Sequence, residues 1–280
     1  MRSLGIVLLF AVALTVRFAF VCDDAYIAFR YVHHLVEGNG LVWNPDPFRP
    51  VEGYSSLLWV LLMAGIWEGT GVAPPQACNP VLLLCSLGSL AVVAHLGWRM
   101  PLSERLGPWR GPLVGLVLLG TATNRTFLTW TSSGLEQGMF SLWVLSWLAV
   151  ALVHRPSRGS LGALGALAVL IELTRPDGLL YLGATGCIVG GWLVHRWRTG
   201  ALRPLDALPL LPFAVPVAHL AWRLATYGAW LPNTYYAKHV APWPLMGLVY
   251  LSSFLLESAA FAWLALLALA WWRREQGSWS

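Results

Sequence analysis

The chain has 280 residues, of which 57% are hydrophobic and 11% charged, with a mean hydropathy of +0.62. Soluble domains carry about 25% charged residues, so this composition excludes an ordinary soluble domain and predicts an all-α integral membrane protein, a single transmembrane domain over 1–280. The net charge of +5 does not point to nucleic acid, because the arginines lie in loops beside apolar runs, where they act as topological anchors.

The first apolar run, Leu4 to Val21, is long enough to cross a bilayer and lacks a small-residue cleavage pattern, so it reads as a retained anchor. Asp23 and Asp24 follow at once. Acids at a membrane exit are costly and generally mark a site at the membrane surface. Asp23 also suits the N-cap of a helix whose apolar positions run from Ala25 to Val36 before Gly38, and Asp24 suits the positive helix end. Capping accounts for one acid, not for two. On a helix of about 100° per residue, Arg30 and His34 share the face of Asp23. Asp23 and Arg30 then lie about 10 Å apart along the axis, a spacing suited to gripping two ends of one ligand.

Gly, Asn and Pro residues between Gly38 and Tyr54 predict a tight irregular connection with a short hairpin from Leu41 to Val51. Glu52 and Tyr54 can return from it towards Asp23. Ser55 to Trp67 is short for a span and reads as a re-entrant half-helix. Further spans are predicted at Val81 to Trp98, Pro112 to Trp130, Leu135 to Val153, Leu161 to Leu173, Leu179 to Val194, Leu205 to Thr226 and Leu245 to Trp272. Pro209, Pro212 and Pro216 should kink the penultimate one. With Arg2 inside and the half-helix not crossing, the arginine loops around Arg105, Arg155, Arg196 and Arg273 all fall on the cytoplasmic side. The expected location is the cytoplasmic (inner) membrane, multi-pass, with a cytoplasmic N-terminus and the site on the extracytoplasmic face.

The remaining outer loops carry polar residues. Ser133 and Glu136 fit a capping box, which can coexist with ligand contact. Arg175 and Asp177 flank a proline turn, as a structural pair or as ligand contacts. The last loop holds Asn233, Tyr235, Tyr236 and Lys238, the only lysine in the chain. It is either a snorkelling residue in an aromatic belt or a cation for an anionic lipid headgroup.

On the outer side this sets Asp23, Asp24, Glu52, Glu136 and Asp177 against Arg30, Arg175 and Lys238, with Tyr54, Tyr235, Tyr236, Asn233 and His34 nearby. Acids can deprotonate an alcohol and cations can hold a phosphate leaving group, which suits glycosyl transfer from a lipid phosphate. No glycine-rich phosphate loop is present to suggest a soluble nucleotide-sugar donor. The four cysteines, Cys22, Cys78, Cys85 and Cys187, lack metal-ligand spacing. No metal site is assigned, although Asp23, Asp24, His34 and Glu52 could supply ligands to a divalent cation.

Five stretches in order, DDAYIAFRYVHHLVEGNGLVWN, VEGYSSLLW, SSGLEQGMF, LTRPDGLL and YGAWLPNTYYAK, resemble the motif series of polytopic GT-C glycosyltransferases related to the mycobacterial terminal arabinofuranosyltransferase. The resemblance runs from about Leu4 to Lys238. It implies a GT-C helix bundle, a polyprenyl-phosphate sugar donor, and inverting transfer outside the membrane to a glycan, lipid or protein acceptor. The family's acidic motif matches Asp23 and Asp24, and its lysine matches Lys238. On this reading Asp23 and Asp24 are catalytic, Arg30, Arg175 and Lys238 hold the donor phosphate, and the other residues named line the substrate site. Ser55-Ser56 and Gln137-Gly138 depart from the family's frequent Thr-Asn and Thr-Pro. Relatives generally continue past the end of this chain, so a compact member, a fragment and a catalytically incomplete assembly subunit are all expected alternatives. A transporter of lipid-linked substrates is another, opposed by the gathering of charge in outer loops and by the lack of an internal repeat.

Overall fold

The computed structural model describes residues 2–238 and 243–275, and among these no strand occurs. Helix α1 (Arg2–Arg17) ends at its own arginine, and α2 (Ala25–Val36) starts two residues after Asp23. Next come α3 (Leu57–Thr70), α4 (Pro74–Arg99), α5 (Arg110–Thr123), the short α6 (Arg125–Trp130), α7 (Gln137–Val153), α8 (Arg158–Thr174) and α9 (Leu179–Arg198). A 3₁₀ helix, Pro204–Phe213, then leads into α10 (Ala214–Tyr227) and α11 (Asn233–Lys238). Pro209 and Pro212 lie inside that 3₁₀ stretch. Neither can donate the backbone hydrogen bond of an α-helix, so the expected kink takes the form of a tighter helical segment.

Most of these elements belong to one compact unit, Met1–Ala237. Its first core lies between α2, α3, α4 and α7, with Tyr31, Trp59, Met63 and Leu82 fully buried. A second gathers Trp147, Leu161, Ala168, Ile171 and Val189 from α7, α8 and α9. A third joins α4 to α5 through Leu90, Val114 and Leu118. The second unit, Lys238–Ser280, contains α12 (Pro244–Glu257) and α13 (Ala260–Glu275), bent by 69° about Ser258 and Ala259. The single run expected from Leu245 to Trp272 is thus a broken pair. The run expected from Pro112 to Trp130 is also broken, at Asn124, whose side chain caps α6 by accepting from the Phe127 N–H.

Three helical stretches among the described residues are long and apolar enough to cross a membrane: Pro74–Arg99, Pro176–Arg198 and Pro204–Tyr227. Counting the bent pair as one span raises this to four. Helix α3, at 14 residues, is about 21 Å long, against a hydrocarbon core of about 30 Å. It runs beside α2: the Tyr54 ring before its start meets Tyr31 at 4.8 Å, and Trp67 in its last turn stacks on His33 at 5.9 Å.

The arginine loops are fastened, not loose. Arg110 Nη1 donates to the Gly97, Trp98 and Met100 carbonyls at the end of α4. Asp206 is completely buried and accepts from Arg158 Nε and Arg196 Nε, each at 2.7 Å. One carboxylate therefore ties together the start of α8, the end of α9 and the start of the 3₁₀ helix.

Candidate active site

The segment before Asp23 is held from three directions. Phe20 N–H donates to Ser132 O and Cys22 N–H to Ser133 O, while Asn79 Nδ2 donates to Phe20 O. Gly134 adopts φ +82°, and a Cβ there would sit 3.1 Å from Val21 and 3.4 Å from Ala25. The hydroxyl-rich turn thus acts as a backbone cradle that sets the entry to α2. The capping box expected at Ser133 and Glu136 does not form: Glu136 occupies the N-cap position of α7 without a side-chain cap bond, and Ser133 Oγ is buried with no protein partner. Glu136 turns instead to Arg175, at 2.7 Å.

Asp23 and Asp24 are both exposed. The position before α2 is taken by Asp24, again without a side-chain cap bond, while Asp23 Oδ1 accepts the Asp24 N–H at 3.0 Å. Asp23 lines a cleft of about 610 Å³ with Tyr26, Arg30, His33, Trp43 and Trp67. Arg30 donates to Trp43 O and to Asn44 Oδ1, both at 2.7 Å, and lies 4.4 Å above the Trp43 ring. These contacts clamp the following loop against α2 and use two of the five guanidinium N–H groups. Asp23 and Arg30 therefore line one cleft.

His34 does not join them. Its ring lies beside Asn39 and Glu37, and the cleft takes His33. Asp23 lies before the regular helix, which begins at Ala25, so a spacing of about 100° per residue does not fix which positions of α2 share its side.

The expected hairpin over 41–51 is also absent. The loop is irregular, includes a cis Asp46–Pro47 peptide, and is fixed by tyrosines. Tyr31 donates to Val51 O and accepts from Gly53 N–H, each at 2.6 Å. Tyr227 donates to Leu41 O, so the Tyr54 hydroxyl must donate to Tyr227 at 3.2 Å. Burial pushes the Tyr31 and Tyr54 phenols upward, keeping both neutral. Tyr54 is thus part of the scaffold of the loop.

The remaining candidates fall into separate groups. Arg175 bridges Glu136 and Asp177, the latter at 3.2 Å, and closes the turn between α8 and α9 as an ion-pair cluster. Glu52 is buried at 3% exposure and belongs to a second pocket, of about 360 Å³, with Glu172, His219 and Arg223. Arg223 Nε approaches Glu52 Oε2 to 2.8 Å without aiming its N–H at that oxygen, so the pair is ionic without an aligned hydrogen bond. Burial pushes the Glu52 carboxyl above the usual range, against the pull of Arg223 and His219. Asn233 N–H donates to Glu52 O at 2.8 Å, joining this pocket to the last loop of the unit. The Asn233, Tyr235 and Tyr236 side chains are exposed, and the side chain of Lys238 lies outside the described residues.

His34 and Glu52 do not share a site with Asp23, and no group of three His, Cys, Asp or Glu side chains among the described residues could hold a metal ion. The postulated cation ligands thus do not fit a common centre. His33, Trp43 and Trp67 in the cleft and Glu172, His219 and Arg223 in the pocket are functional candidates that only the structure brings forward. Ionisable residues within otherwise apolar helices were the available signal for the last three.

Over 256 aligned residues the chain is 31% identical to the terminal beta-(1->2)-arabinofuranosyltransferase of Mycobacterium tuberculosis. The alignment takes in 84% of this chain and 37% of that protein, so the chain spans well under half the length of this curated relative. The similarity relates the chain to part of a glycosyltransferase. No family model matches it, and no solved structure matches it significantly.

Proposed function

We propose that this chain is a GT-C membrane glycosyltransferase that moves a sugar, a pentose such as arabinofuranose being the favoured class, from a polyprenyl-phosphate donor to an extracytoplasmic glycan, lipid or protein acceptor. The observation that carries the reading is the exposed Asp23 carboxylate sharing one aromatic cleft with Arg30, in a chain similar to part of an arabinofuranosyltransferase. On this reading α2, α3 and the cleft lie at the outer surface of the inner membrane, α3 does not cross, and the N-terminus is cytoplasmic.

Asp23 Oδ1 is occupied by the Asp24 N–H, which leaves Oδ2 for the acceptor. Asp23 takes the proton of the acceptor hydroxyl as that oxygen attacks the anomeric carbon. The bond from that carbon to the phosphate oxygen breaks with inversion, and the polyprenyl phosphate departs with its negative charge. Arg30 answers that charge with the N–H groups it does not use on the loop, and Lys238 is assigned the same task from the last motif. Trp43 and Trp67 offer apolar faces to the sugar and the first prenyl units. Asp23 is preferred over Asp24 as the base because it lines the cleft. Arg175, already held by two carboxylates, is assigned to positioning.

The test is transfer of radiolabelled sugar from a panel of polyprenyl-phosphate donors by membranes carrying wild type, Asp23→Asn, Asp24→Asn or Lys238→Ala. Loss of a positioned general base costs about 10²- to 10⁴-fold, and that drop is expected for Asp23→Asn with normal membrane insertion. Wild-type transfer by Asp23→Asn would remove the mechanism. Absence of transfer by the wild type from every donor would favour the assembly-subunit reading.

A further inference from the structure

The second pocket joins buried charge to apolar walls. Glu52 contributes both carboxylate oxygens, Glu172 its Oε2 and His219 its Nε2, all buried and all without an aligned hydrogen-bond partner in the protein. The side chains are only 2%, 11% and 7% exposed. His219 Nδ1 lies 3.7 Å from Glu172 Oε1, and its ring stacks on Trp222. The walls are apolar, including Leu173, Leu220 and Leu231, and Trp230 stands at the rim with an exposed ring. Its volume falls within the roughly 300–1,000 Å³ of small-molecule pockets.

Charge narrows the occupant. Two carboxylates face one guanidinium and one imidazole, so a phosphate would meet repulsion from both glutamates at close range. A cation would compete with Arg223 for Glu52. An uncharged ring bearing several hydroxyls adds no charge, donates hydrogen bonds to the waiting oxygens, accepts one from Arg223 or His219, and lays its C–H faces on leucine and tryptophan. We infer that the pocket formed by Glu52, Glu172, His219 and Arg223 is a sugar-ring subsite that binds an uncharged glycosyl unit through its hydroxyls. This deepens the glycosyltransferase reading and rests on it for the source of the ring, which is a unit of the acceptor glycan removed from the hydroxyl that reacts at Asp23.

Saturation-transfer difference NMR on the full detergent-solubilised chain, with methyl pentofuranosides, methyl hexopyranosides and inorganic phosphate as probes, reads the pocket without any turnover. A glycoside signal is expected that falls at least fivefold in Glu172→Gln and in Ser55→Trp. The latter puts an indole on a lining residue of the pocket while leaving the charges intact. The signal should persist in Asp23→Asn. No glycoside binding by the wild type, equal binding by both pocket variants, or phosphate binding in place of glycoside would overturn the inference. If transfer is measurable, the pocket variants should raise KM for the acceptor and leave KM for the donor unchanged. An unchanged acceptor KM would also overturn it. Failure of transfer with glycoside binding intact would remove the glycosyltransferase reading and leave the subsite standing.

Discussion

Arg175 shows how one side chain can carry two readings that only its partners separate. A guanidinium on an outer loop suits a lipid phosphate, yet here Glu136 and Asp177 already occupy it. Glu136 is buried, so removing Arg175 leaves a carboxylate without its counter-charge in a poorly solvated place. With Arg175 itself partly exposed, Arg175→Ala is expected to cost about 2–3 kcal/mol. Thermal unfolding of the detergent-solubilised chain measures this, and Arg175→Lys should recover only part of the loss, since lysine cannot span both acids as a planar fork. An unchanged unfolding temperature together with a raised donor KM would instead return Arg175 to the phosphate.

At the scale of elements, the positions of the cleft and the pocket depend on turns more than on helices. The 3₁₀ turn Pro176–Gly178 folds back so closely on α8 that a Cβ at Gly178 would lie 2.3 Å from the backbone of Glu172. Backbone cannot yield as a flexible side chain can, so Gly178→Ala is expected to destabilise by more than about 3 kcal/mol or to abolish folding. Gly183→Ala, one turn into α9 with open space around it, should be neutral or slightly stabilising. Expression level and unfolding temperature of the two variants compare them directly. The contrast matters for function because Glu172 and Pro176 both line the second pocket.

For the whole molecule, the arginines at the ends of α8 and α9 meet on Asp206, whereas Asp23, Glu52 and Arg175 belong to the alternate set of loops. If the first set is cytoplasmic, a cysteine at Asn39 in a cysteine-free background should react with a membrane-impermeant maleimide in intact cells. One at Ser157 should react only after lysis. The opposite pattern would invert the topology and place the cleft on the wrong side for an extracytoplasmic acceptor.

Composition and period by themselves determined an all-helical, membrane-type chain and the approximate runs of its helices. These follow from local rules, in which apolar stretches make helices and a fixed rise per residue sets spacing. Tertiary structure alone decided that His33 replaces His34, that Glu136 pairs with Arg175 across 39 residues, and that Glu52 joins Glu172, His219 and Arg223. Those outcomes depend on which surfaces lose water when distant segments pack, and a buried charge is held in place by partners that sequence distance does not reveal.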